Sequence, residues 1–421
     1  MTGQEAIEYI HSFQWEKHAP GLDRIQTLLH GLGDPQKDLK FIHVAGTNGK
    51  GSTCAMLASV LRAAGYRVGL NTSPYIMTFH ERIQVNGTLI SGEALADLVE
   101  RVQPVAEAMA EHPTEFELIT AIAMLYFKEQ CCDIVVLEVG LGGELDASNV
   151  IDVPEAAVIT AMGMDHVALL GPTLADVAAA KAGIIKEGGS VISYGECSEA
   201  DAVIRRTCMI RGAALWEVDF SRLQQIRLEL DGTRFDFAPY GGLQLPLIGS
   251  YQPRNAATAI TVLEMLRTKG WNIPDEAIRQ GLAEVRWPGR FEVLRREPLF
   301  LLDGAHNAHG VRAAAESLQA LVKQPVTLVL GILADKDVEE MLDLLVPLTE
   351  RAFVIRPDSP RALPAETLCE LLRERGVEAT ACGSVTAAVQ EAVEAAGLDG
   401  AVCALGSLYL SGAVREAVGC I

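Results

Sequence analysis

Apolar runs of strand length alternate with segments of helical period, and this alternation constrains the fold more than any other feature. The early runs have apolar residues on both faces, as parallel strands buried on both sides should. They are Leu39–Ala45, Asp133–Val139, Ala156–Ala161 and Ser190–Tyr194. Helices are predicted between them over Ser52–Ala64, Thr114–Gln130 and Thr173–Lys186. This βαβα order predicts an α/β protein built on a doubly wound sheet.

The alternation is interrupted between Trp287 and Pro298 and then restarts. The later strand predictions are Leu299–Asp303, Val326–Gly331, Ala352–Arg356, Val377–Cys382 and Ala401–Leu405. The segment after the break is long enough to bury a core of its own. We therefore predict two α/β domains with a cleft between them: a larger N-terminal domain over 1–292 and a smaller C-terminal domain over 298–421.

Two Xaa-Gly pairs have the composition of hairpin turns. Asn86-Gly87 and Asp231-Gly232 each lie between extended segments, and such pairs favour tight antiparallel turns. Both are expected to mark a small antiparallel addition to the main sheet.

Charge and cysteine usage restrict the partners and the compartment. The 421 residues include 35 Lys+Arg and 55 Asp+Glu, a formal net charge of −20, which disfavours nucleic acid and anionic membranes as partners. The start MTGQEAIEYIHSF lacks the basic and apolar regions of a signal peptide. The nine cysteines contain no CxxC pair, so we expect reduced thiols in a cytoplasmic protein.

A glycine-rich segment follows the first predicted strand and precedes a helix. It reads GTNGKGS over Gly46–Ser52. Its backbone N–H groups and the helix N-terminus favour phosphate, Lys50 adds a full charge, and the Ser52 hydroxyl is placed for Mg²⁺. The strict Walker pattern is not met, because Val44 replaces its first glycine and Gly51 is inserted. The alternative is a glycine-rich turn with an incidental lysine, but we predict nucleotide binding.

Three further charged positions invite a functional interpretation. Glu138 ends a buried strand, where carboxylates of a doubly wound sheet face the ligand crevice; metal ligation competes with a salt-bridged core role. His166 also follows a strand and is either a ligand or a packed histidine. Lys181 lies among Ala and Ile residues, although lysine is seldom buried unless paired; spacing alone favours a solvated helix lysine.

Taken together, the motifs resemble the folylpolyglutamate synthase family within the Mur ligase superfamily. The resemblance rests on HVAGTNGKGS (43–52), TSPY (72–75), ERIQVNG (81–87), TEFE (114–117), EVGLGGELDASNVI (138–151), MDHVALLG (164–171), KAGIIK (181–186), YQPRNA (251–256), WPGRFE (287–292), DGAHN (303–307), GILADKD (331–337) and GSLYL (406–410). TEFE, GILADKD and GSLYL together resemble the lactobacillus type.

The resemblance implies a P-loop ATPase domain, a Rossmann-like C-terminal glutamate-ligase domain and an ATP-dependent, amide-forming ligase of folate biosynthesis and one-carbon metabolism. The γ-carboxylate of a folate glutamate tail would accept the γ-phosphoryl group of ATP, and L-glutamate would attack the acyl phosphate. Polyglutamylation with Mg²⁺ as cofactor follows. A monomer acting on ATP, L-glutamate and reduced folate (poly)glutamates is expected.

The resemblance also assigns residues to roles. ATP binding is assigned to Thr47, Asn48, Gly49, Lys50, Gly51, Ser52, Asn255, Arg290 and Asp303. Metal binding is assigned to Ser52, Ser73, Glu138 and His166, and carbamylation by CO₂ to Lys181. Contacts to glutamate are assigned to His306, Ser407 and Tyr409, and catalysis to Lys50, His166, Lys181, Asp303 and His306. Capping for Asp303 and Ser407, and packing for Tyr409, are the structural alternatives.

Three other functions compete with this prediction. A bifunctional enzyme would also join glutamate to dihydropteroate, as a dihydrofolate synthase. A cell-wall Mur ligase would need a domain for its UDP-sugar, and about 45 residues before the phosphate loop are too few for one. A non-catalytic P-loop switch would not need Lys181, His166 or DGAHN.

Overall fold

The computed structural model describes residues 1–13 and 20–420. The chain forms two compact units: unit 1 comprises Met1–Arg222 and Arg254–Val285, and unit 2 comprises Leu223–Pro253 and Arg286–Ile421. The segment 223–253 therefore groups with the C-terminal residues. The assignment of an ATP-binding domain to 1–292 and of a glutamate-ligase domain to 298–421 stays a prediction.

The described residues form strands and helices in alternation. The strands are β1 (Phe41–Ala45), β2 (Val68–Asn71), β3 (Ile83–Val85), β4 (Thr88–Leu89), β5 (Ile134–Glu138), β6 (Ala156–Ile159), β7 (Ser190–Ser193), β8 (Ala214–Glu217), β9 (Leu223–Glu229), β10 (Gly232–Phe237), β11 (Tyr240–Leu245), β12 (Glu292–Arg296), β13 (Leu299–Leu302), β14 (Val326–Leu330), β15 (Thr349–Val354), β16 (Glu378–Ala381) and β17 (Ala401–Leu405).

The helices are α1 (Gly3–His11), α2 (Asp23–Gly31), α3 (Lys50–Ala63), α4 (Gly92–Ala108), α5 (Glu115–Glu129), α6 (Val167–Leu170), α7 (Leu174–Ala182), α8 (Ser198–Arg211), α9 (Gln252–Thr268), α10 (Asp275–Glu284), α11 (Ala308–Leu321), α12 (Val338–Leu345), α13 (Ala365–Glu374), α14 (Val385–Ala396) and α15 (Leu408–Gly419). Among residues 1–13 and 20–420, no helix is both long enough and apolar enough to span a membrane.

Unit 1 is built on an eight-stranded sheet of order β4-β3-β2-β5-β1-β6-β7-β8. The six adjacent strands β2-β5-β1-β6-β7-β8 are parallel, which confirms the predicted α/β class. All residues of β1 and β5 are buried, as their apolar composition requires. β1 has β5 on one side and β6 on the other, so the carboxyl end of β1 is where ligands bind in sheets of this kind.

The two predicted hairpins have different outcomes. Asn86-Gly87 joins β3 and β4, which form an antiparallel edge of the main sheet, as predicted. Asp231-Gly232 lies between β9 and β10, but these strands and β11 form a separate three-stranded sheet. The hairpin turn at Asp231-Gly232 is confirmed, but its assignment to the main sheet was wrong. Burial alternates along β10, and such a strand needs only one covered face.

Unit 2 contains a six-stranded sheet of order β12-β13-β17-β14-β15-β16. All five strands predicted after the break are present and parallel. β12 falls inside the segment taken as an interruption and pairs antiparallel with β13. β12 was not predicted because its residues are only partly buried, and the strand therefore has no apolar run. As an edge strand it has a partner on one side only.

Candidate active site

Close packing shapes the phosphate loop between β1 and α3. Gly46 has φ +148°, and a Cβ there would lie 1.8 Å from Thr160 Oγ1. Gly49 has φ +83°, and its Cβ would lie 2.4 Å from Asn255 Oδ1. Both φ values lie in the region that favours glycine. The loop is thus held between Thr160 and Asn255, and the structure brings Asn255 to the predicted ATP site.

The two halves of this loop use their N–H groups differently. The N–H groups of Thr47 and Asn48 both donate to Ala161 O, at 3.0 and 3.1 Å. The Thr47 hydroxyl donates to Gly163 O at 2.8 Å. The first N–H groups of a helix have no carbonyl partner within it, and they carry its positive partial charge. The predicted backbone contacts to phosphate are therefore expected at the start of α3 rather than along the whole loop.

Two lysines converge on one carbonyl of the loop. Lys50 Nζ donates to Gly46 O at 3.1 Å and to Thr47 O at 3.3 Å. Lys181 Nζ donates to the same Gly46 O at 2.9 Å. Burial, followed by the positive charge of Lys50, lowers the pKa of Lys181 to about 7. Lys181 is buried, so the alternative of a solvated helix lysine was wrong.

The loop after β5 fixes the end of α7, on which Lys181 lies. A Cβ at Gly143 would lie 2.9 Å from Lys181 O, and Glu144 N–H donates to Ala180 O at 2.8 Å. Asp146, which is buried, accepts from Leu141 N–H at 2.8 Å and so closes this loop. Asp146 had no predicted role of its own.

Glu138 and Ser73 are brought together at the carboxyl edge of the sheet. Glu138 ends β5, is buried, and its Oε2 accepts from Ser73 N–H at 3.0 Å. Ser52 is buried in the first turn of α3. Carboxylate and hydroxyl oxygens are ligands that suit Mg²⁺. Among residues 1–13 and 20–420, no group of three or more His, Cys, Asp or Glu side chains is arranged to hold a metal.

His166 precedes the short helix α6 and adopts φ +51°. Its backbone N–H donates to Asp165 Oδ1 at 2.8 Å, and its ring Nε2 lies 3.9 Å from the same oxygen. The ring is 34% exposed, whereas the Asp165 side chain is 8% exposed. The ring is therefore partly exposed, and the ligand role of His166 stays a prediction.

In unit 2, the Asp303 carboxylate accepts three hydrogen bonds. It accepts from Phe291 N–H at 2.7 Å, from Ala305 N–H at 2.7 Å and from the Tyr251 hydroxyl at 2.9 Å. Burial raises the pKa of Asp303, and the Arg290 guanidinium opposes that rise. The alternative of a helix cap was wrong, because Asn307 caps α11 and the Asp303 carboxylate bonds to other loop segments.

The loops after β13 and β17 lie side by side. Gly406 N–H donates to Ala305 O at 2.9 Å, which joins DGAHN to GSLYL. In the first loop, the His306 Nδ1 lies 2.8 Å from Gly304 O. The structure therefore brings His306 and Ser407 to one edge of the sheet.

Ser407 and Tyr409 differ in environment. Ser407 is buried and caps α15, its hydroxyl accepting from Tyr409 N–H at 3.3 Å. The capping alternative for Ser407 is thus confirmed. The Tyr409 side chain is 54% exposed, so the packing alternative for it was wrong. Contacts of either residue to glutamate stay predictions.

Family comparisons match both parts of the chain. The Mur ligase middle domain matches residues 44–263, and the Mur ligase glutamate ligase domain matches residues 289–408. Folylpolyglutamate synthase of Lacticaseibacillus casei is 40% identical, with 99% of this chain and 98% of that protein aligned. This chain belongs to the folylpolyglutamate synthase/dihydrofolate synthase family of Mur ligases. The predicted resemblance is confirmed.

Two other relatives extend the comparison. The dihydrofolate synthase/folylpolyglutamate synthase of Bacillus subtilis is 40% identical over 87% of each chain. Mycobacterium tuberculosis folylpolyglutamate synthase complexed with ADP has a TM-score of 0.91 and 29% identity, covering 99% of this chain and 98% of that one. Membership of this family makes the chain an ATP-dependent, amide-forming ligase, as predicted. It does not support a non-catalytic switch.

Thr160 and Tyr251 are site residues without a predicted role. Thr160 Oγ1 donates to Asn48 O at 2.8 Å and braces the phosphate loop. Its position near the end of a predicted strand was an available signal, since polar residues there face the crevice. Tyr251 opens the motif YQPRNA, but nothing in the spacing linked it to Asp303.

Proposed function

We propose that this chain adds L-glutamate to the γ-carboxylate of folate (poly)glutamates at the expense of ATP. The observation that carries the proposal is the phosphate loop at the carboxyl end of β1, with Lys50 and the start of α3 at one side of it and Glu138 on the neighbouring strand. The full-length similarity to folylpolyglutamate synthase of L. casei supports the substrate class.

The reaction needs charge neutralisation more than covalent help from the protein. A γ-carboxylate oxygen attacks the γ-phosphorus of ATP, the bond to the β,γ-bridging oxygen breaks, and ADP leaves. Both reactants are anionic, so positioned positive charge supplies most of the catalysis in such transfers. Lys50 and the N-terminus of α3 provide it for the phosphates. The glutamate amino group then attacks the acyl carbon, loses a proton and displaces phosphate.

Mg²⁺ is the metal that fits the donor set. Ser52 and Glu138 would hold one ion and His166 a second, with Ser73 N–H orienting the Glu138 carboxylate. Mg²⁺ in such sites typically takes few protein ligands and completes its shell with phosphate oxygens and water. Bound there, the metal would neutralise charge on the transferring phosphoryl group.

Lys181 is proposed to carry a carbamate. Carbamate forms from the neutral amine and CO₂, and burial holds the pKa of Lys181 at about 7, so a large neutral fraction exists near neutral pH. The product is an anion near Lys50. The carbamate would replace the buried ammonium of Lys181 by an anion that can pair with the Lys50 ammonium. This pairing favours the modified form.

The glutamate is proposed to bind in unit 2. α11 and α15 both begin at the carboxyl edge of the sheet, beside DGAHN and GSLYL. Helix N-termini favour carboxylates, and His306 is placed in the same pair of loops. Arg290 and Asp303 are proposed to serve ATP, and Asn255 to lie near its adenine.

The decisive experiment is product analysis by mass spectrometry. A reduced folate monoglutamate incubated with ATP, Mg²⁺ and L-glutamate should yield ADP and a folate with one more glutamate. Replacing L-glutamate by D-glutamate serves as the control for amino-acid specificity. Absence of glutamate-dependent ADP formation with every folate tested would refute the proposal.

Dihydrofolate synthase activity is the second candidate function. The B. subtilis relative bears both names at 40% identity, and this favours testing dihydropteroate as a substrate in the same assay. Formation of dihydrofolate would make the chain bifunctional. Growth in tail length with reduced folates alone would leave polyglutamylation as the single activity.

A cytoplasmic monomer is proposed as the working form. All nine cysteines are free, which suits a reducing compartment. Light scattering coupled to gel filtration would detect a dimer, and fractionation of cells would test the compartment.

A further inference from the structure

Tyr251 follows the three-stranded sheet and immediately precedes α9. Its hydroxyl donates to Asp303 Oδ2 at 2.9 Å. Burial, followed by the negative charge of Asp303, raises the pKa of Tyr251 well above its ordinary value. The hydroxyl therefore keeps its proton at any physiological pH and remains a donor to the carboxylate.

The Asp303 carboxylate connects three segments of unit 2. Its Oδ2 accepts from Tyr251 and also from Phe291 N–H at 2.7 Å, and its Oδ1 accepts from Ala305 N–H at 2.7 Å. Asp303 is only 4% exposed. A buried carboxylate needs such donors to remain ionised, so each of them has a share in its charge and its orientation.

One of these donors belongs to a strained residue. Phe291 is fully buried and has φ +45°, a backbone conformation that is costly for a bulky side chain. Conformations of this kind persist where surrounding contacts enforce them, and they cluster at functional sites. The bond from Phe291 N–H to Asp303 is such a contact.

Arg290 is the neighbour of this strained residue. A Cβ at Gly304 would lie 2.8 Å from Arg290 Nη1, and Gly304 N–H donates to Gly289 O at 2.9 Å. The guanidinium thus lies over Gly304, next to the Asp303 backbone. Arg290 directly precedes Phe291 in the chain, and its positive charge acts on the Asp303 carboxylate.

We propose that Tyr251 is a positioning residue for Arg290 and acts through Asp303: its hydroxyl holds the carboxylate in the orientation that binds Phe291 N–H and faces the guanidinium. The inference rests on the proposed contact of Arg290 with ATP. It gives Tyr251 a role in nucleotide affinity without contact to the nucleotide.

Calorimetric titration with MgATP tests the link without requiring ligase turnover. Tyr251→Phe should weaken ATP binding about tenfold, the usual effect of losing a hydrogen bond to a charged group. The loss should grow toward acidic pH, because Asp303 with one donor fewer takes up a proton more readily. In an Arg290→Ala background, the loss caused by Tyr251→Phe should be much smaller, because only the proposed contact of Asp303 itself with ATP remains.

Tyr66→Phe is the matched control, because the Tyr66 hydroxyl accepts from a backbone group, Asn272 N–H, at 2.8 Å in unit 1. It should leave ATP affinity unchanged. Wild-type affinity in Tyr251→Phe, or an equal loss with and without Arg290, would overturn the proposal. Wild-type protein that binds ATP but forms no glutamate adduct would refute the proposed function and leave this comparison intact.

A second pair of variants tests whether the effect of Tyr251→Phe runs through the charge of Asp303. Asp303→Asn removes the carboxylate charge that the Tyr251 hydroxyl orients. The double variant with Tyr251→Phe should therefore bind ATP with the same affinity as Asp303→Asn alone. A further loss of affinity in that double variant would show that Tyr251 acts by another route, and the proposal would be wrong.

Discussion

Replacing Lys181 by methionine should make the protein more stable and inactive. The side chain is buried, and its ammonium is close to the charge of Lys50. Its one hydrogen bond in this environment is to Gly46 O, at 2.9 Å. Methionine has a similar length and no charge, so it removes the cost of burying the lysine and preserves most of the packing.

The size of the effect follows from the shift in pKa. Lowering the pKa of Lys181 from 10.5 to about 7 corresponds to about 4 kcal/mol of folding free energy at about pH 7. The lost hydrogen bond offsets about 1 kcal/mol of this. The net gain of about 3 kcal/mol should raise the Tm by about 6 °C in a unit of this size.

The pH dependence has a definite sign. Between about pH 7 and the ordinary pKa of 10.5, the unfolded lysine is protonated and the folded one is mostly neutral. Where the unfolded state binds more protons, stability rises with pH. The wild type should therefore gain stability across this window, and the advantage of Lys181→Met should shrink toward zero near about pH 10.

Thermal unfolding in CO₂-free buffer at about pH 7 and about pH 9.5 measures both effects. Lys37→Met is the control, because that lysine side chain is 61% exposed and its removal should leave the pH dependence unchanged. A Lys181→Met variant no more stable than wild type at the lower pH would refute the electrostatic argument. Full ligase activity in that variant would end the carbamate proposal.

Three further outcomes are expected. Bicarbonate should raise the Tm of the wild type and leave Lys181→Met unchanged, because only the lysine can form a carbamate; equal shifts would argue against it. Gly46→Ala should abolish ATP binding in titration and cost on the order of 2 kcal/mol, since its Cβ would meet Thr160, whereas Gly383→Ala has open space and should bind normally. Glu138→Gln should raise the Mg²⁺ concentration for half-maximal activity by about tenfold, because an amide is a poorer Mg²⁺ ligand; an unchanged requirement would remove Glu138 from the metal site.

The strands that carry the site were predictable because burial on both faces leaves a continuous apolar run. β1 and β5 both appear in the sequence as such runs. The phosphate loop follows β1, and Glu138 is the last residue of β5, so the positions of both could be predicted. β12 was missed for the opposite reason, since an edge strand with partly buried residues has no such run. The separate sheet of β9 to β11 was not predicted for a related reason. Burial alternates along β10, and that pattern does not tell which sheet a strand joins.

The residue types of the site were predictable, but their partners were not. Lys181 was expected to be solvated from spacing alone, and only the fold places it on Gly46 O, 135 residues away in sequence. Tyr251 and Asp303 meet across 52 residues. Contacts of this kind depend on loop conformations, such as the positive φ of Phe291, which no local pattern predicts for a phenylalanine.

The shared carbonyl of Gly46 links the state of Lys181 to the phosphate loop. Unmodified Lys181 and Lys50 both donate to that oxygen. The positive charge of Lys50 contributes to the lowered pKa of Lys181. A carbamate on Lys181 would keep one N–H on its nitrogen, so a single donor would remain for the bond to Gly46 O. Its negative charge would then attract Lys50, where the cation had repelled it. The proposed carbamate on Lys181 would therefore reverse the sign of the charge beside Lys50 and so change the electrostatics of the phosphate loop.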